Sequence, residues 1–157
     1  MKQYFLKLYQ YNSWANDQVM KCLINQSVAD EKALSIMSHL LAAPFIWLNR
    51  IKGLPKSEVK LWETQDLDTL KQMAKDGASI WLDFIEQTDS FNHDLSYTNY
   101  VGNPYVTNVE QIMIHLVNHS SYHRGQVAMR VRQIGLQPVN TDYITYDRVI
   151  TGQLTVD

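Results

Sequence analysis

Apolar residues recur at helical spacing through most of the chain. From Gln3 to Asn25, Leu6, Tyr9, Ala15, Val19 and Leu23 fall mainly three or four positions apart, the pattern of one buried helix face. A second stripe, Ala33, Met37, Leu40, Leu41, Phe45 and Leu48, predicts a helix from about Glu31 to Ile51. Asp30 stands where a carboxylate can accept a first-turn N–H. A third helix is predicted from an Asp66 cap to about Gln87, with Leu67, Leu70, Ala74, Ala78, Trp81 and Phe84 or Ile85 on its apolar face. Thr107 and Glu110 have capping-box spacing and open a fourth helix to about Ile134, with Gly135 as its stop.

The interruptions are as informative as the stripes. Pro44 lies inside the second helix, where it removes an N–H and clashes with the Leu40 carbonyl, so a kink is expected one turn after His39. The segment "KGLP" ends that helix, and about a dozen residues follow before the third, a length that allows a crossover. Residues 91–106 are rich in Tyr, Thr and Val around a Gly-Asn-Pro turn and read as a hairpin or extended excursion. The tail after Leu136 reads as mostly irregular, with one helical turn near Tyr143–Tyr146. The expected fold is all-α: one four-helix-bundle domain over residues 1–157, with a crossover connection and a short extended excursion before the fourth helix.

Composition narrows the class. A chain of 157 residues fits one domain. Its single cysteine, Cys22, excludes an internal disulfide, and the N-terminus has no sustained apolar run, so a cytoplasmic protein is expected. No stretch reaches the roughly 18 consecutive apolar residues of a membrane span. The net charge of −2, with scattered Lys and Arg, gives no basic stripe for nucleic acid.

Three of the five histidines, His115, His119 and His123, lie four residues apart in "HLVNHSSYHRGQ". On a helix, four residues advance about 6 Å along the axis and turn by about 40°, so neighbours can share an ion. His115 and His123 are about 12 Å apart along the axis and cannot easily do so. Spacing thus favours one i, i+4 pair, His115/His119 or His119/His123, plus a ligand from another helix. His39 is the better third ligand, because a helix holds a ligand more rigidly than the polar loop around His93. The alternative is that these are only polar residues on a wet helix face.

Four segments resemble the DinB family of damage-inducible bundle proteins, in order: "HLLAAPFIWLNRIKG", "LSYTNYVGNPY", "HLVNHSSYHRGQVAMRVRQIG" with its HxxxHRGQ core, and "QPVNTDYITYDR". The resemblance implies a crossed four-helix bundle that forms homodimers. It also implies a divalent metal, Zn²⁺ or Ni²⁺, on His39, His119 and His123, with His115 one turn away as a pocket or supporting residue. Pro44 in the second helix and Tyr122 before His123 depart from the family pattern, and neither removes a ligand.

Three imidazoles leave coordination positions open, the mark of a reactive rather than a closed structural site. Such a centre can activate water, giving a hydrolase, or a small thiol, giving a thiol-dependent transferase acting on a small molecule. No Glu or Asp in the motif offers a general base, which weakens the hydrolase, and no residue is assigned as acid or base. Arg124 is a candidate for holding a substrate anion, or else sits in a salt bridge. Asn118 is a candidate acceptor for a ligand's free N–H. Gln126 bonds a ligand or, more simply, a neighbouring helix. Trp47, Tyr97 and Tyr143 are candidate pocket walls, with packing as their default role. The competing function is a stress-associated metal-binding or interaction bundle without turnover.

Overall fold

The computed structural model describes residues 1–155. The molecule is predominantly helical: α1 (Lys2–Asn25), α2 (Glu31–Ile51), α3 (Leu67–Gln87), α4 (Val109–Gln133) and a short α5 (Tyr143–Ile150). Two strands, β1 (Asp94–Thr98) and β2 (Pro104–Asn108), form an antiparallel hairpin between α3 and α4, with Tyr97 opposite Tyr105. The helix starts follow from local chemistry. Asp30 accepts the Ala33 N–H at 2.9 Å and Asp66 accepts the Thr69 N–H at 2.8 Å. Gly135 closes α4 at a φ of +85°, a conformation that penalises any side chain.

Around the helical core the neighbours run α1–α3–α2–α4 and back to α1. The most extensive pairings are α1 with α3 and α2 with α4, so consecutive helices α1/α2 and α3/α4 are not the main partners. The connection from α2 to α3 runs back from Ile51 to the level of Ser38 and His39, where Gln65 and Leu61 bond them. Buried residues gather in two clusters. One surrounds Phe5, Tyr9, Trp81, Phe91, Ile112 and Leu116; the other surrounds Leu23, Met37, Leu40, Leu70, Val127 and Val131. Fully burying side chains of this size contributes about 1.5–3 kcal/mol each.

α2 spans Glu31–Ile51 as expected, with Pro44 inside it, and the Pro44 carbonyl accepts the Trp81 indole N–H at 3.0 Å. Two local expectations are corrected. The α4 cap is Asn108, not Thr107: Asn108 Oδ1 accepts the Glu110 N–H at 3.0 Å, while Thr107 is held in β2 opposite Leu95. The tail forms an eight-residue helix rather than one turn, because Tyr146 is buried against Tyr11 and Trp14 of α1. α2 is also 21 residues long with a mean hydropathy of 1.2, enough by length and composition to cross a membrane. Its apolar positions are instead spent on the core against α3 and α4.

Candidate metal centre

The pairing of α2 with α4 sets the histidine register. Arg130 on α4 grips Asp30 at the start of α2 with two hydrogen bonds, Nε–H to Oδ1 at 2.8 Å and Nη2–H to Oδ2 at 2.7 Å. From this clamp the two helices run side by side in opposite directions. His39 is nine residues along α2, about 13.5 Å at 1.5 Å per residue. His123 and His119 are seven and eleven residues back along α4, about 10.5 and 16.5 Å. His39 therefore arrives between them. The same clamp and its cap hydrogen bond hold the Asp30 carboxyl down at about 2.

The three rings converge. His39, His119 and His123 each offer a ring nitrogen, and these atoms lie within 4.8 Å of one another. His39 Nε2 is 3.0 Å from His119 Nε2, and the ring centroids are 4.4–4.9 Å apart. Four nitrogens placed tetrahedrally at about 2.0–2.1 Å from zinc would be about 3.3 Å apart, so the His39–His119 spacing is close to that of two ligands of one ion. Two of the rings are oriented from behind. His39 Nδ1 lies 3.2 Å from the Leu61 carbonyl, and His123 Nδ1 lies 2.7 Å from Gln126 Oε1. Each acceptor favours an Nδ1–H tautomer and leaves the Nε2 lone pair for the centre, as ligating histidines require. His119 Nδ1 is buried and has no partner among the described residues, so that ring has no acceptor behind it.

The electrostatics favour the unprotonated ligand form. Burial lowers the His39 pKa, with the Leu61 carbonyl opposing and His123 adding to the shift. Burial pushes His119 down to about 3, helped by charge repulsion from His123, His39 and His115. His39 and His119, which burial keeps from protonation, join His123 in a cluster with no carboxylate, a nitrogen-only donor set able to hold a divalent metal ion.

Over residues 1–153 the sequence matches the family described as the DinB family. The chain belongs to the DinB family. It is 25% identical over 163 residues to protein DinB of Bacillus subtilis (strain 168), covering 93% of this chain and 95% of that protein. It is 23% identical over 153 residues to the uncharacterized protein YizA of the same organism, covering 88% of this chain and 93% of that one.

Around the triad of this DinB-family chain, the other candidate residues separate into two groups. His115 sits one turn before His119, its ring centroid 5.4 Å from that of His119 and 6.2 Å from Trp47. It keeps solvent exposure, and what desolvation it has lowers its pKa. Trp47 and Tyr97 meet edge to face at 4.9 Å and continue this wall away from the triad. Arg124, Asn118 and Tyr143 are placed elsewhere. Arg124 neither faces a pocket nor pairs with a carboxylate: it is 2% exposed and bonds Asn12, Asn16, Tyr11 and Ser121. Asn118 is exposed and donates to the Ile114 carbonyl of its own helix, away from any ligand N–H. Tyr143 packs edge-on against Tyr11 and Tyr146. His93 stays exposed in its loop, and the Cys22 thiol donates to the Gln137 carbonyl at 3.3 Å.

Two contributors to the site lie in the connection between α2 and α3. Leu61 supplies the carbonyl behind His39, and Trp62 stacks on the same imidazole with centroids 3.7 Å apart and planes 12° from parallel. The connection is pinned one residue away, where the Gln65 N–H donates to Ser38 Oγ at 2.9 Å. A carbonyl has no signature in sequence. Trp62, the one aromatic residue in that connection, was the available signal.

Proposed function

We propose that this DinB-family protein is a metal-dependent enzyme whose His39–His119–His123 centre activates a small thiol for transfer onto a small-molecule electrophile. The observation that carries the reading is the convergence of three imidazoles, two of them locked with Nε2 inward, in a cluster without a carboxylate. When loaded, such a centre lowers the pKa of a thiol or water at its open position, supplying a nucleophile near neutral pH. The protein's own part is to keep His39 and His119 neutral, to orient His39 and His123 through Leu61 and Gln126, and to shield one face of His39 with Trp62. Water activation usually benefits from a proton acceptor beside the metal, and the cluster contains none, so thiol transfer is preferred over hydrolysis.

The reading includes zinc or nickel as the ion and a crossed four-helix bundle as the full architecture. It also includes a cytoplasmic homodimer, which sedimentation equilibrium tests. The functional test is turnover of an activated chloronitrobenzene by zinc- or nickel-loaded protein, with and without a small thiol. Turnover that needs both thiol and His119 supports the proposal. Thiol-independent hydrolysis of ester substrates would replace it with the hydrolase. No turnover with a stoichiometric metal would replace it with the non-catalytic metal-binding bundle.

A further inference from the structure

The α2–α3 connection, the end of α2 and strand β1 line an open cavity of about 700 Å³. It lies next to the triad. Leu61 and Trp62 line it, and these are the residues that touch His39 from behind and above. Its charge is one-sided: Arg50, Lys56 and Lys60 line it, and no Asp or Glu does. That is the reverse of the chain as a whole, whose net charge is −2. Lys60 is paired with Glu63 at 2.8 Å, whereas Arg50 and Lys56 have no carboxylate partner among the described residues.

Arg50 is held in an unusual way. Its guanidinium carbon lies 4.8 Å from the Trp47 ring centroid, 5.2 Å from Tyr97 and 5.4 Å from Tyr100. Among the described residues the guanidinium makes one hydrogen bond, a long one, Nη2–H to the Thr98 carbonyl at 3.4 Å. Three aromatic rings thus fix the position of the guanidinium by cation–π attraction while its five N–H donors stay almost unused. A planar fork fixed in this way is preorganised to take a carboxylate with two parallel hydrogen bonds. Arg50 also lies on the His39 face of α2. Eleven residues turn the helix by three full turns and about 20°, and advance it by about 16 Å. Ile46, on the same face between them, gives the cavity an apolar floor.

We propose that this cavity binds a small organic carboxylate with a planar or apolar body, its carboxylate on Arg50 and Lys56 and its body along Ile46 and Tyr97 toward the triad. That this ligand is the substrate rests on the proposed function above; the anion site itself does not depend on it.

The test is an NMR titration of 4-phenylbutyrate and its uncharged amide into metal-free and zinc-loaded protein, following arginine Nε–H and indole N–H resonances. A ligand of this size is expected to bind in the range of about 1 mM. Binding in both metal states, at least about ten-fold weaker for the amide and for Arg50→Gln, is predicted, since charge-assisted bonds are lost in both. Arg50→Lys should be intermediate, and Lys56→Gln, at an exposed position that does not threaten folding, should weaken binding about three-fold. Equal affinity for acid and amide, no saturation by about 10 mM, or unchanged binding by both Arg50→Gln and Lys56→Gln overturns the proposal. Binding only with zinc present also overturns it, because the carboxylate would then be on the triad. A protein that binds no metal yet holds the carboxylate at Arg50 overturns the proposed function and leaves the anion site standing.

Discussion

Replacing Arg124 by Met should destabilise the protein without touching the metal centre. Arg124 follows His123 directly but points into the α1–α4 contact, where it donates to Asn12 Oδ1 at 2.7 Å and Asn16 Oδ1 at 2.9 Å. It also donates to Ser121 Oγ at 2.9 Å and the Tyr11 hydroxyl at 3.2 Å. Tyr11 retains its own bond to the Thr141 carbonyl, and Ser121 is exposed to water, so these two survive the change. Asn12 and Asn16, only 8% and 7% exposed, are left with stranded carbonyl oxygens. Each stranded acceptor costs about 1–3 kcal/mol, giving about 2–6 kcal/mol together. Met fills most of the stem volume, and removing a buried cation whose pKa burial already lowers offsets part of the loss. The expected net destabilisation is about 3 kcal/mol, read as a lower urea midpoint at unchanged slope. Zinc affinity should stay within about three-fold of wild type, since Arg124 touches no ligand of the triad. Replacing Asn12 and Asn16 by Leu together with Arg124→Met should recover part of the loss, because no polar atom is then stranded. A change below about 0.5 kcal/mol for Arg124→Met, or a strictly additive triple variant, refutes the reasoning.

Other outcomes follow from the same geometry. Metal-free protein should lose stability as pH falls below about 6.5, where the unfolded chain protonates histidines that the folded chain keeps neutral down to about 3 at His119. The slope is at most about 1.4 kcal/mol per pH unit for each such histidine, and equal urea midpoints at about pH 7.5 and 5.5 contradict it. Trp62→Ala should weaken zinc binding about ten-fold in a chelator competition, by releasing the stacked His39 ring, while changing stability by less than about 1 kcal/mol. Gly77→Ala should raise stability by about 0.5–1 kcal/mol in the same urea assay, because the new Cβ would meet Phe45 Cε2 at an ordinary 3.5 Å inside a helix.

What sequence could reveal follows the range of the interactions. The four long helices repeat a stripe every turn, so periodicity and caps such as Asp30 and Asp66 place them within a residue or two. The cap of α4 slipped by one because Thr107 and Asn108 are both good caps and only strand pairing tells them apart. His119 and His123 were legible because their separation is local. His39 was legible as a histidine on a helix, and its choice rested on rigidity and on family resemblance. Arg124 was not, because its partners Asn12 and Asn16 lie more than a hundred positions upstream. The signal was there in α1, as two asparagines four apart on an otherwise apolar face. Leu61 acts through its backbone, and Arg50 gains its meaning only when the hairpin brings Tyr97 and Tyr100 over it.

The central claim is that His39, His119 and His123 together hold one divalent ion. Elemental analysis of protein made without a histidine tag, loaded with zinc and then gel-filtered, tests it most directly. About one equivalent is predicted in wild type and in His115→Ala, with loss in His39→Ala, His119→Ala and His123→Ala. Retention of the metal by His123→Ala with loss in His115→Ala, or a wild-type protein that retains none, contradicts the account.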